Sequence, residues 1–123
     1  MSNVYVVYWS GTGNTQEMAM AIADGAKENG AEVTVWNVDE ADIEELKKAK
    51  ALALGCPSMG AEQLEEASME PFMCDLDSQI NGKTIALFGS YGWGDGQWMK
   101  DWEDRIASDG ATVLNGEGII ANN

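Results

Sequence analysis

The sequence predicts an α/β domain built on a parallel sheet with helices on both faces. Three observations predict it. Strand-like and helix-like stretches alternate along the whole chain. The first strand-like stretch, Val4-Tyr5-Val6-Val7-Tyr8, is continuously apolar, as expected for a central parallel strand buried on both faces. Turn-rich, glycine-bearing loops follow three of the strands, near Gly11, Gly60 and Gly92. In a doubly wound sheet such loops gather at the carboxyl edge, where ligands bind.

The elements follow in order. Asn14 or Thr15 is expected to cap a helix running to about Asn29. Met18, Ile22 and Ala26 recur at i, i+4 and i+8 on its apolar face, with Ala19 and Ala23 beside them. Gly30 is a good terminator. Residues 32–38 alternate partly, through Val33 and Val35, and read as a second strand. Residues 39–50 are acidic first and basic last, which suits the dipole of a short helix with Ile43 and Leu46 inward. Residues 51–55 are a third, buried strand. Residues 64–80 read as helical in their later part, with Pro71 in the first turn, Phe72 and Leu76 inward, and Gly82 as the stop. Residues 84–89 are a fourth strand. Trp98, Trp102 and Ile106 mark one helix face, closed by Gly110. Residues 111–121 form a last strand, interrupted at Asn115-Gly116.

A chain of 123 residues is expected to form one domain. No basic, apolar leader is visible after Met1, and no run approaches the ~18 apolar residues of a bilayer span. A cytoplasmic protein is expected. Seven basic residues against 21 acidic ones give a net charge of −14, which disfavours nucleic acid and anionic membranes as partners. Basic docking faces are favoured instead. There is no His, and Cys56 and Cys74 are the only cysteines. A His-based triad, a Cys–His couple and a Cys/His zinc site are therefore excluded. Both thiols are expected to be reduced, buried, small apolar groups.

The first loop, Trp9-Ser10-Gly11-Thr12-Gly13-Asn14-Thr15, joins a strand to a helix and suits an anion. It holds no Lys or Arg, so neutral donors and a helix end worth about half a positive charge must suffice. It is not a Walker A loop, and Gln16 replaces the third glycine of a dinucleotide fingerprint. A plain turn before a helix would explain the same residues. The second loop, Cys56-Pro57-Ser58-Met59-Gly60-Ala61-Glu62, offers a soft apolar side chain beside a permissive glycine, or a simple turn with a core Met. The third, Ser90-Tyr91-Gly92-Trp93-Gly94-Asp95-Gly96, places an indole among glycines, with room to lie on a flat ring, or merely half-packed.

Taken together, four segments resemble the short-chain flavodoxins. They are the first loop with Tyr8; Leu54-Gly55-Cys56 with Met59-Gly60 and Glu62; Glu70-Pro71-Phe72; and the stretch from Leu87 to Gly96. The resemblance implies a doubly wound five-stranded parallel sheet of order 2-1-3-4-5. It implies non-covalent FMN and low-potential one-electron transfer between semiquinone and hydroquinone, not substrate catalysis. By that pattern Ser10, Gly11, Thr12, Gly13, Asn14 and Thr15 bind the FMN phosphate, with Trp9 alongside and Ser90 adding a hydroxyl. Ser58 and Tyr91 belong to the cofactor loops. Met59 and Trp93 cover the two faces of the isoalloxazine, and Gly92 and Gly94 offer amides to its pyrimidine end. Glu62 meets the flavin N3–H, and the Met59-Gly60 peptide offers its carbonyl to N5–H on reduction.

The charge fits that reading. One carboxylate about 12 Å away in a water-like medium disfavours an added electron by roughly 0.3 kcal/mol. A dozen would lower the second potential by on the order of 100 mV, at ~59 mV per tenfold. Glu62, Glu65, Glu66, Glu70, Asp75 and Asp77, with Asp95, Asp101, Glu103 and Asp104, are expected to form a steering rim for basic-faced redox partners, reductases and low-potential acceptors. Pro57 and Ala61 depart from the polar residues that relatives usually carry there. The final helix of the family is absent from this sequence. It would bury ~400 Å² of apolar surface, on the order of 10 kcal/mol gross, so either a homo-oligomer or a partner is expected over that sheet face, or the chain is a truncated one. Of the competing readings, an FMN-dependent quinone or nitro-compound reductase would need an open ring face and a lid. A receiver domain would need an acidic pocket and a phosphoacceptor Asp that these loops do not provide.

Overall fold

The computed structural model describes residues 3–11, 13–59, 64–91 and 96–122. Strand β1 (Asn3–Tyr8) leads to α1 (Asn14–Glu28), β2 (Glu32–Asn37), a 3-10 turn (Val38–Glu40) and α2 (Ile43–Leu46). Strand β3 (Ala51–Gly55), α3 (Met69–Leu76), a 3-10 turn (Asp77–Gln79), β4 (Thr84–Tyr91) and α4 (Gln97–Ser108) follow. Short β5 (Thr112–Val113), a 3-10 turn (Leu114–Gly116) and β6 (Ile119–Asn122) close the described chain. The sheet order is β2-β1-β3-β4-β5, all parallel, and β6 also pairs with β4. β5 and β6 are thus two halves of one strand position, broken at the Asn115-Gly116 interruption that the sequence predicts.

Alternation along each strand separates two cores. Tyr5, Val7, Leu52, Leu54, Ile85 and Leu87 face one side, where they meet Leu46 of α2, Met69, Met73 and Leu76 of α3, and Trp98, Trp102 and Ile106 of α4. Val6, Tyr8, Ala53 and Phe88 face the other, against Ala19 and Ala23 of α1. The alanines let α1 lie close to the sheet, while Met18 and Ile22 flank it half-buried. On that side Met20 and Ile119 stay exposed.

Three local expectations change. Asn14 and Thr15 do not cap α1: Gly13 does, in a left-handed conformation with φ 97°, and Thr15 turns into the core. Residues 39–50 are not one helix, because two caps act in quick succession. The Asn37 side chain accepts from Asp39 N–H while Glu40 reaches back to Asn37 N–H, and Asp42 then caps α2 through Glu44 N–H. The cysteines also divide. Cys56 is buried and its thiol is pushed up to about 12 by burial, whereas Cys74 is exposed on the outer side of α3.

An ionic clasp ties α3 to α4. Arg105 donates to Asp77 at 2.7–3.1 Å and to Glu70 at 2.9 Å. Burial opposes these charges, but the pairing prevails: Asp77 is held below its ordinary value and Arg105 above. Asp109, at the end of α4, suffers from the same arrangement. Burial and the neighbouring Asp77 carboxylate push it up to about 6, and its Oδ2 is buried with no partner among the described residues.

A carboxyl raised in the folded state supports folding fully below its unfolded value, and that support is lost as pH rises through about 6. Asp109→Asn should therefore raise unfolding stability at pH 7–8, by on the order of 1 kcal/mol after solvent screening. The gain should vanish below about pH 4, as thermal unfolding at several pH values would show.

Candidate functional site

The carboxyl ends of β1, β3 and β4 stay joined beyond the strands themselves. Trp9 N–H donates to Gly55 O at 3.0 Å, Cys56 N–H to Phe88 O at 3.1 Å, and Ser58 N–H to Ser90 O at 3.0 Å. The three expected loops therefore leave the sheet side by side. Two glycines make this possible. A Cβ on residue 55 would stand 2.1 Å from the Phe88 ring, and one on residue 89 would stand 2.2 Å from the Cys56 carbonyl oxygen.

Around this junction the structure gathers hydroxyls. Thr15 Oγ1 and Ser90 Oγ lie 3.0 Å apart, both buried, which pins the start of α1 to the third loop. Ser10 Oγ accepts from Gly13 N–H at 3.0 Å and shapes the turn into α1. Gly13 supplies no side chain to cap the helix, and its carbonyl accepts the first helical bond, from Glu17 N–H at 3.0 Å. Ser58 Oγ is buried with no hydrogen-bond partner among the described residues. A buried Thr–Ser hydroxyl pair at a helix N-terminus suits a phosphate oxygen. The donor set thus fits the phosphate of FMN, and it is neutral.

The remaining site residues divide. Trp9 is half-buried and its indole lies over Gly11, where a Cβ would be 3.0 Å from Cη2. Asn14 opens α1, and Met59 is half-buried at the start of the second loop. Tyr91 packs its ring against Trp98, with centroids 5.8 Å apart and planes at 46°, so it roots the third loop in the core. Thr12, Gly60, Glu62, Gly92, Trp93 and Gly94 lie outside the described residues, as does Asp95.

Several acidic residues expected on the rim are used inside the fold. Glu65 is buried, and its carboxylate accepts from Ala67, Ser68 and Met69 N–H at 2.9, 2.7 and 3.0 Å, capping α3. Burial pushes its acidity one way, but these three backbone donors prevail and hold it below the usual carboxylate range. Glu70 and Asp77 belong to the Arg105 clasp, and Glu103 accepts from Gly118 N–H at 2.7 Å. Asp75, Asp101 and Asp104 remain exposed. Sequence reasoning also missed Cys56 and Gly89, whose parts in the junction come from backbone atoms. The only signal was a glycine at a strand end.

The flavodoxin family model matches residues 6–122. The chain is 50% identical over 117 residues to a flavodoxin of Clostridium beijerinckii, covering 95% of this chain and 85% of that one. It is 45% identical over 117 residues to a flavodoxin of Megasphaera elsdenii, with the same coverage. The solution structure of the two-electron reduced Megasphaera elsdenii flavodoxin superposes with a TM-score of 0.89, at 44% identity and over 95% of this chain and 85% of that one. A flavodoxin from the domain Archaea does so with a TM-score of 0.85, at 32% identity and over 98% and 84%. The sheet order, the hydroxyl-lined junction and these matches agree: the chain belongs to the flavodoxin family, whose members bind FMN and carry electrons rather than convert substrates.

Proposed function

We propose that this chain is a single-domain, low-potential, one-electron carrier of the cytoplasm, cycling its FMN between the one- and two-electron reduced forms. The observation that carries the reading is the neutral anion site at the junction of three strand ends. Thr15 and Ser90 meet there at the start of α1, and residues 9–15 contain no Lys or Arg. FMN bound there would supply the one-electron chemistry. Trp9, Ser10, Gly11, Thr12, Gly13, Asn14, Thr15 and Ser90 would hold the phosphate and its approach, and Ser58 belongs to the second cofactor loop. Met59 and Trp93 would cover the ring, with the Met59-Gly60 peptide, Glu62, Tyr91, Gly92 and Gly94 serving its edge.

The charge supports the low potential. A neutral phosphate site within a chain of net charge −14 leaves an added electron facing uncompensated negative charge. Asp75, Asp101 and Asp104 are exposed, and they support docking of basic-faced reductases and low-potential acceptors. The same charge argues against nucleic acid and anionic membranes, and no helix among the described residues is long and apolar enough to cross a membrane. Exposed Met20 and Ile119 on the α1 side support contact with a second copy. Sedimentation should show dimers that Ile119→Lys dissolves, and a monomer at all concentrations would refute that contact.

Apoprotein should take up one FMN and turn yellow, and dithionite should reduce it in two separate one-electron steps. Protein with no FMN affinity would sink the reading. Ser90→Ala orphans the buried Thr15 hydroxyl and should weaken FMN binding about tenfold in fluorescence titration.

Raising the salt from about 0.05 to 0.5 M should slow electron exchange with a basic partner several-fold in stopped-flow traces. Salt-independent rates would remove the docking argument.

A further inference from the structure

We propose that Trp98 is a positioning residue for the cofactor: from inside the core, its indole holds the roots of the second and third loops in register. The inference rests on the reading of the junction as an FMN site.

Trp98 is 1% exposed, in the first turn of α4, on the sheet face opposite α1. Its Nε1–H donates to the Cys56 carbonyl at 3.0 Å. That carbonyl lies where a Cβ on Gly89 would intrude, and the same ring approaches Gly89, where a Cβ would be 3.1 Å from Trp98 Cζ2. The ring also packs against Tyr91. One side chain thus touches the first residue of the second loop, the end of β4 and the first aromatic residue of the third loop. Cys56 is fixed from its other atoms too. Its N–H donates to Phe88 O, and its sulfur accepts from Glu65 N–H at 3.4 Å. Two residues on, Ser58 N–H donates to Ser90 O. The carbonyl held by Trp98 therefore sets the direction in which the chain leaves toward Ser58 and Met59. A directed buried donor is not a requirement of this core. Trp102, one turn further along α4, is equally buried, and its Nε1 has no partner among the described residues.

Trp98→Phe keeps a flat ring and removes the donor, leaving the Cys56 carbonyl buried without it. Trp102→Phe is the packing control. FMN affinity, the two one-electron midpoint potentials and apoprotein unfolding should be measured for both and for the unaltered chain. Trp98→Phe should weaken FMN binding about tenfold and shift the two potentials unequally. Each tenfold difference in affinity between redox states reads as ~59 mV. Trp102→Phe should change unfolding alone. Unaltered affinity and potentials in Trp98→Phe would overturn the inference, as would equal changes in Trp102→Phe. Should Trp98→Phe fail to fold, a benzothienyl isostere at position 98 removes the donor without changing shape, and the same criteria decide. If the unaltered chain binds no FMN, the cofactor reading falls first and this inference with it.

Discussion

Everything at the carboxyl edge of the sheet depends on how closely β3 and β4 approach where they end. Gly55 leaves room for the Phe88 ring on one face, and Gly89 leaves room for the Cys56 carbonyl on the other. Without those spaces the strands would have to part before their loops begin. With them, hydrogen bonds continue past the strands from Trp9 to Gly55, from Cys56 to Phe88 and from Ser58 to Ser90. The first residues of the second and third loops, about 45 and 80 positions beyond Trp9, thereby leave the sheet beside it. The roots of these loops are thus held by the buried cores, as Cys56 and Ser90 are.

The acidity of the chain has two separate uses. A net charge of −14 sets a negative field at long range. At short range several carboxylates are structural. Glu65 caps the helix that follows the second loop, and Glu70 and Asp77 grip Arg105 to join α3 to α4. Both helices start just after the second and third loops. Asp109 carries the cost of that clasp, as a third carboxyl near a single guanidinium.

Much of the architecture was legible in the residues. The run Val4 to Tyr8, the alternation of strand and helix, and the Trp98, Trp102 and Ile106 face all lie where the sequence puts them. Periodicity reports burial, and burial decides these elements. The first helix cap, the split of residues 39–50 and the exposure of Cys74 were misread. Each turns on competition between neighbouring residues for the same backbone groups or the same helix face. The buried Glu65 was misread for a related reason. A carboxylate in an acidic run looks solvent-facing until the helix end that it caps is in place.

The order of elements, the parallel sheet, the lack of charge in the first loop and the sign of the surface field are all legible in the residues. Those follow from residue type and spacing, which local sterics and hydrophobic periodicity read directly. The tertiary structure alone decided that Thr15 meets Ser90, that Ser58 is left with an orphaned hydroxyl, and that the Trp98 indole holds the Cys56 carbonyl. These contacts join residues 42 and 75 positions apart. No local pattern encodes them, because strand register and glycine-sized gaps bring the atoms together only once the sheet has formed.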